Sequence, residues 1–121
     1  DTCNLKINGT KGLFLIDTGA SNSCINKKEK EIFNQVDKNK EIEGAGAGKG
    51  KLNLKMTKKS MVEYGFRKIG SFSFLLLDMD HINETMIKSG ANSINGIIGA
   101  DFLRKTKAVI CYKPLTLFLK A

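Results

Sequence analysis

The sequence has no Trp, a single His, a single Pro and three Cys, and each shortage narrows the chemistry available to the chain. One histidine, His81, cannot build a multi-His metal site, and we expect neither a metal nor a cofactor. Three cysteines are an odd number, so a complete disulfide framework is excluded, while the pairing state of Cys3, Cys24 and Cys111 is left open. Cys24 and Cys111 have apolar neighbours that favour buried thiols, and neither belongs to a recognisable Cys–His nucleophile motif.

Long apolar runs are also missing. None approaches the roughly 18 residues that a membrane-spanning helix requires, so no membrane-spanning segment is expected. The 121 residues are 41% hydrophobic and 26% charged, which is too apolar and too evenly mixed for a disordered tail. This length fits one small soluble domain over residues 1–121, with a modest core and little room for a large internal cleft. No signal peptide is recognisable, and the sequence does not decide the localisation.

Arginine is scarce although the chain is basic. Twenty Lys and Arg residues against twelve Asp and Glu residues give a net charge of +8, yet Arg occurs only at Arg67 and Arg104. Nucleic-acid grooves usually combine Arg forks with exposed aromatic rings, whereas the Lys residues here are scattered along the chain. The composition therefore favours a solubilising surface and no nucleic-acid partner, with a basic nucleic-acid-binding β-barrel as the weaker alternative. The same charge can steer acidic substrates or anionic surfaces toward the protein.

Short β-type runs bounded by turn residues dominate the chain. Residues 3–7 and 12–16 flank Asn8-Gly9, a dipeptide typical of tight turns, and predict an opening β-hairpin. Residues 26–33 are charged and predict a short exposed helix or an irregular stretch that Asn26 can cap. Alternating or continuous apolar patterns predict further strands at 52–56, 61–66, 72–77, 94–98, 107–112 and 115–119.

Two further segments are predicted to be helical. Residues 79–89 have apolar side chains at helical intervals and predict a short helix that closes at Gly90. A second brief helix is expected from Asp101 to about Lys105. The pattern as a whole predicts a mostly β fold with one or two short helices.

The most informative segment is Asp17-Thr18-Gly19-Ala20-Ser21, which follows the apolar Leu15-Ile16. An isolated Asp at the end of a strand is usually a turn former or a helix cap, so this motif alone is a weak signal. Later in the chain comes Asn95-Gly96-Ile97-Ile98-Gly99-Ala100-Asp101-Phe102-Leu103. Together the two segments resemble the paired signatures of retropepsin-like aspartic proteases, and the single D-T-G-A-S resembles small bacterial members most.

The resemblance covers nearly the whole chain and implies the closed β-barrel of the acid protease fold and the activity of an aspartic endopeptidase. It implies that Asp17, Thr18 and Gly19 form the catalytic loop and that Ala20 and Ser21 contact substrate or support the carboxylates. The second signature would pack against this loop as structural support through Gly96, Ile97, Ile98 and Gly99. The expected substrate is a peptide or protein.

Only one Asp-Thr-Gly is present, and one carboxylate cannot carry out this chemistry. Peptide hydrolysis of this kind needs a water held between two carboxylates that share one proton. Asp1-Thr2 is followed by Cys3, and the other aspartates lack the surrounding loop. We therefore expect a two-fold symmetric homodimer in which Asp17 of each copy meets at the axis. A fold that keeps Asp17 but acts as a weak or inactive binding or dimerisation module is the alternative.

A glycine-rich segment, residues 43–50, lies where the family carries its flap. The expected substrate contacts are Gly44, Ala45, Gly46, Ala47 and Gly48. A phosphate-binding loop fits poorly because Lys49 is followed by Gly50 instead of Ser or Thr. The segment is expected to close over an extended peptide, and a merely flexible loop is the alternative.

The chain departs from the viral members of the family at two positions. Viral enzymes commonly have Arg after the last Gly of the second signature, paired with an acid in the catalytic loop. Here these positions are Ala100 and Ser21, so that ion pair is missing. Either another contact supports the loop or the dimer is weaker.

Overall fold

The structure, a computed structural model, describes residues 1–43, 53–112 and 115–119. Strands make up most of it, and two short helices, α1 (Asp80–Lys88) and α2 (Ala100–Lys105), follow the eighth and ninth strands. The strands are β1 (Thr2–Ile7), β2 (Thr10–Ile16), β3 (Cys24–Asn26), β4 (Asp37–Glu43), β5 (Asn53–Thr57), β6 (Ser60–Tyr64), β7 (Arg67–Phe72), β8 (Leu75–Leu77), β9 (Gly96–Ile98), β10 (Val109–Tyr112) and β11 (Leu115–Phe118). The prediction of a mostly β fold with one or two short helices is confirmed.

Nine strands form one curled sheet, a half-barrel, in the order β4-β5-β8-β3-β9-β2-β1-β6-β7, and β10 pairs with β11 separately. The centre of the sheet brings together segments that are distant in sequence. β9 pairs in parallel with β2 and antiparallel with β3, which is itself parallel to β8. Because β9 lies beside β2, the chain that leaves the end of β2 is placed next to the chain that leaves the end of β9.

Two hydrophobic clusters fill the sheet. The larger one contains most of the buried aromatic rings: Phe14, Phe33, Phe72, Phe74 and Phe102. The smaller one is built on Cys24, Leu75, Met79, Ile94 and Ile97. Leu15 and Ala20 pack against the smaller cluster from either side of the turn after β2, and Ile82 and Met86 pack on it from α1. This cluster therefore supports the segment that contains Asp17.

The structure corrects several sequence-based boundaries. Residues 61–66 do not form one strand, because β6 ends at Tyr64 and a two-residue turn, Gly65-Phe66, leads into β7. The strand predicted over 72–77 is divided between the end of β7 and β8. The charged segment 26–33 contains a single 3-10 turn, Lys27–Glu29, in which the Asn26 side chain accepts a hydrogen bond from the Lys28 N–H at 3.2 Å.

The prediction missed the short β3, the charged β4 and all of β7 except Phe72. The helix expected over 79–89 and the one expected after Gly99 are both present, as α1 and α2. Within the ranges that the structure describes, no helix has both the length and the apolar character needed to cross a membrane.

Candidate active site

The loop after β2 is held by its own backbone and by β9. The Asp17 N–H donates to the Ile98 carbonyl at 2.9 Å, and this bond continues the parallel pairing of β2 with β9. The Ala20 N–H then donates to the Asp17 carbonyl at 3.1 Å, which closes a tight turn. These bonds fix the point at which the Asp17 side chain leaves the sheet.

The Asp17 carboxylate is oriented by the turn and open to solvent. Its Oδ1 accepts a hydrogen bond from the Gly19 N–H at 2.9 Å. Asp17, Thr18, Gly19 and Ser21 are all exposed, and Ala20 is half-buried. One carboxylate oxygen is thus engaged by the backbone, while the rest of the group faces outward from this chain.

The second signature lies directly beneath this loop. Gly96, Ile97, Ile98 and Gly99 are all buried, and the first three pair with Phe14, Leu15 and Ile16 of β2. A β-carbon at Gly99 would lie 2.6 Å from the Ala20 carbonyl oxygen, a distance that real β-carbons do not adopt. Just after it, the Ala100 N–H donates to the same carbonyl at 2.7 Å. Glycine at position 99 therefore permits the loop and α2 to touch.

A contact between Asp101 and Ser23 ties the loop to α2, and the sequence analysis missed it. The Asp101 carboxylate accepts from the Ser23 N–H at 2.9 and 3.0 Å and from the Ser23 hydroxyl at 2.7 Å. The Ser23 hydroxyl oxygen in turn accepts from the Gly99 N–H at 2.9 Å, deep in the protein. Hydrogen bonds to a carboxylate are stronger than bonds between neutral groups, so this network is a firm link.

This network occupies the place where the sequence analysis noted a missing ion pair. Ala100 has no polar side-chain atom, and the loop and the helix are bridged one or two residues further on by Asp101 and Ser23. The available signal was the acid immediately after Ala100, at the start of a short helix. The sequence around Asp101 does not reveal the contact, because its partner lies 78 residues earlier in the chain.

The remaining predicted site residues lie outside the ranges that the structure describes. Gly44, Ala45, Gly46, Ala47 and Gly48, the expected flap, belong to the segment 44–52, for which the structure describes nothing. The strands on either side of that segment, β4 and β5, pair antiparallel, with Glu43 opposite Asn53.

A groove of about 420 Å³ opens beside the loop. Thr18 forms one side of it, and α2 with the residues that follow forms the other. The lining is mainly apolar and includes two cationic side chains. The lining residues are Thr18, Ala100, Leu103, Arg104, Lys107 and Ala108. The groove therefore adjoins the exposed residues of the candidate catalytic loop.

The nearby thiols do not offer a competing nucleophile. Burial, together with the negative charge of Asp101, raises the pKa of Cys24 to about 11, and burial raises the pKa of Cys3 to about 11. Both thiols are therefore protonated at neutral pH and weakly nucleophilic. Across the described ranges, no group of three or more His, Cys, Asp or Glu side chains is arranged to hold a metal ion.

Comparison with known proteins agrees with this geometry. The retroviral protease-like domain of Ddi1 from Leishmania major is similar in structure, with a TM-score of 0.65 and 21% identity over 98% of this chain and 82% of that chain. EIAV protease complexed with the inhibitor HBY-793 has a TM-score of 0.58 and 21% identity, over 92% of this chain and 91% of that chain. At such identities, the two structures show a shared fold.

No curated protein sequence matches the chain. A sequence model of the retroviral aspartyl protease family, however, matches residues 1–111. The chain belongs to the retroviral aspartyl protease family.

Proposed function

We propose that the protein is an aspartic endopeptidase whose active site forms at the two-fold axis of a homodimer. The observation that carries the proposal is the exposed Asp17 carboxylate, which the Gly19 N–H orients at the end of β2, an interior strand of the sheet. A carboxylate that served only as a turn former would need no second signature packed beneath it. Here the close approach at Gly99 fixes the loop from below while its catalytic face stays open.

The mechanism follows from what two such carboxylates can do together. Two carboxylates in contact cannot both be charged, so the pair holds a single proton. The ionised Asp17 takes a proton from the bound water as the water attacks the peptide carbonyl, and the protonated Asp17 donates a hydrogen bond to the carbonyl oxygen. The proton then passes to the leaving amine, which completes cleavage.

Other residues of the loop would position these groups. Thr18 is exposed beside Asp17 and is suited to bonding across the axis, and Gly19 contributes the backbone N–H that orients each carboxylate. Ala20 and Ser21 would contact an extended substrate, and the glycine-rich segment Gly44–Gly48 would cover it. The link between Asp101 and Ser23 would hold the loop rigid, and rigid positioning is the main protein contribution to such chemistry.

An alternative hypothesis is that the protein dimerises but does not catalyse peptide cleavage. The loop is braced within one chain, so a protein used only for binding or dimerisation would keep the same loop shape. The fold alone does not distinguish the two, because relatives near 21% identity share only the architecture. The distinction needs a measurement of cleavage.

The test is Asp17→Asn, with Glu84→Gln as the matched control. Asn keeps the size of the side chain but cannot accept the proton from water, so cleavage should fall by roughly 10²–10⁴. Glu84 is exposed on α1, and its replacement removes the same charge without loss of cleavage. Rates on a mixed peptide library between acidic and neutral pH, with melting temperature and sedimentation for each variant, provide the measurement. A wild-type protein that dimerises but cleaves nothing in this library would contradict the proposal.

A further inference from the structure

The hairpin of β6 and β7 ends in a fully exposed aromatic ring. Tyr64 pairs with Arg67, so the turn contains only Gly65 and Phe66. Gly65 has φ of 61°, the positive value that the first position of a type II′ turn requires. Phe66 follows with its side chain entirely in solvent, whereas most of the other described phenylalanines are buried. This turn position thus carries a large apolar side chain, although its exposure would suit a polar residue.

This ring forms one side of a groove against the opening hairpin. The groove has a volume of about 280 Å³, and the residues that line it are Asn4, Leu5, Lys6, Lys11, Gly65 and Phe66. Three of these residues belong to β1, and two are lysines. The groove can hold one apolar side chain next to the ring, with polar groups near the ammonium ends.

The lysines are placed unfavourably for stability alone. Lys6 and Lys11 are direct cross-strand partners, and like charges in that position destabilise a hairpin. Glu63 pairs with both Lys6 and Lys68 on the same face, but no ion pair within 4.0 Å forms there; those found in the described ranges are Lys28–Asp80 and Lys30–Asp37. A net positive charge therefore runs across four neighbouring strands, through the cross-strand partners Lys11, Lys6, Glu63 and Lys68. Arg67 adds to this charge.

The groove is separate from the candidate active site. Lys11 lies near the start of β2 and Asp17 just after its end, six residues later, which is about 20 Å along a strand. An extended polypeptide of six or so residues could reach from one site to the other. Binding at the groove can thus be measured without any reference to cleavage.

We propose that this groove binds an acidic peptide segment, with an apolar side chain packed on Phe66 and carboxylates beside Lys6 and Lys11. Charge complementarity identifies the occupant, because two unpaired ammonium groups and a bare ring match an apolar residue flanked by acids. A membrane would meet only one apolar side chain at this tip, too little for stable anchoring. A nucleic acid would find one ring and one Arg, where binding grooves use several of each.

If the proposed endopeptidase activity is correct, the groove is a second contact for its substrates and favours those with an acidic stretch beyond the scissile bond. The binding itself does not depend on that activity. It is therefore tested in the Asp17→Asn variant, so that failure of one proposal does not decide the other.

The probe is a short labelled peptide with Asp and Glu on both sides of one Phe, and fluorescence anisotropy measures its Kd at low and moderate salt. Phe66→Ala should weaken binding about tenfold, because it removes the apolar contact from a position that supports no core packing. The double variant Lys6→Gln, Lys11→Gln should weaken binding by a similar factor and flatten the salt dependence. The control, Lys58→Gln with Lys59→Gln, removes the same charge at the opposite end of β6 and should leave the Kd within twofold.

The proposal is overturned if the peptide does not bind. It is also overturned if the Lys58 and Lys59 control weakens peptide binding as much as the groove variants do, or if replacing the Phe of the peptide by Ser leaves the Kd unchanged. Single-stranded oligonucleotides and vesicles with anionic lipid are measured beside it. Tighter binding of either one, with the same dependence on Phe66, would assign the groove to that other class of partner. Thermal melting of each variant confirms that exposed substitutions leave the fold intact.

Discussion

Among single residues, Asp101 links the segment after the Asp17 loop to α2 through several hydrogen bonds. Its carboxylate accepts the N–H and the hydroxyl of Ser23, and the Phe102 N–H at 2.7 Å as well. Ser23 is 2% exposed, so water cannot replace a lost partner there. Removing the acceptor leaves buried donors unsatisfied, which costs more than the bonds contribute when they are formed.

We therefore expect Asp101→Ala to lower the free energy of unfolding by about 2–4 kcal/mol and Asp101→Asn by about 1–2 kcal/mol, because Asn keeps one acceptor oxygen. Urea denaturation of both variants gives these values. Asp78→Asn serves as a comparison, since Asp78 accepts the Asp80 N–H at an exposed position and its replacement should shift the urea midpoint far less. Equal effects at positions 78 and 101 would mean that the network does not brace the loop.

At the scale of elements, the pairing of β2 with β9 requires a position without a side chain. Gly96 lies opposite Phe14, and a β-carbon there would be 2.6 Å from the Phe14 ring and would also collide with the Cys24 carbonyl. A ring can turn aside, but a carbonyl in the middle of the sheet cannot. Phe14 can keep its place in the core only because position 96 is glycine.

Gly96→Ala should accordingly destabilise the protein by about 3 kcal/mol, at the upper end of the range for overpacked cores. Gly12→Ala is the matched control, because the atoms nearest to a β-carbon there belong to the rings of Phe14 and Phe33, at 2.9 Å, and not to the backbone. Its cost should be nearer 1 kcal/mol, since both rings can shift. Differential scanning calorimetry compares the two variants with wild type. A smaller cost at position 96 than at position 12 would contradict the close approach of β9 to β3.

Elements governed by local chemistry were predictable from the sequence, and those governed by distant partners were not. Asn8-Gly9 specifies its turn by itself, and the apolar spacing of α1 is visible without a partner. β4, Asp37–Glu43, has few apolar residues because it lies at the edge of the sheet, where charge discourages aggregation. β3 has three residues and exists only because β8 and β9 hold it from both sides. The motifs likewise identified Asp17 and Gly99, whereas the Asp101–Ser23 contact required the folded chain.

For the molecule as a whole, the central question is what covers the exposed Asp17 loop. The groove beside Thr18 is largely apolar and joins the loop to the end of α2, so a second copy placed at the axis would bury both together. In the proposed homodimer, this surface and the exposed carboxylate would both lie at the interface. In the proposed enzyme, dimerisation and cleavage are therefore coupled, and a substitution that blocks the groove should abolish both.

Ala108→Glu places a long charged side chain at the lining of that groove, and Ala91→Glu makes the same change at an exposed position after α1. We expect the Ala108 variant to sediment as a monomer and to lose peptide cleavage, because the longer side chain fills the groove that the second copy would cover and removing its carboxylate from water is costly. The Ala91 variant should dimerise and cleave like wild type, and both should keep the wild-type melting behaviour at low concentration. Sedimentation is measured with and without a statine-type peptide analogue, which should drive wild type toward the dimer by binding only the assembled site. The mechanism would be contradicted by a wild-type protein that cleaves peptides in the absence of the analogue but still sediments as a monomer when the analogue is saturating. One Asp17 would then be sufficient, and the shared-proton mechanism would be wrong.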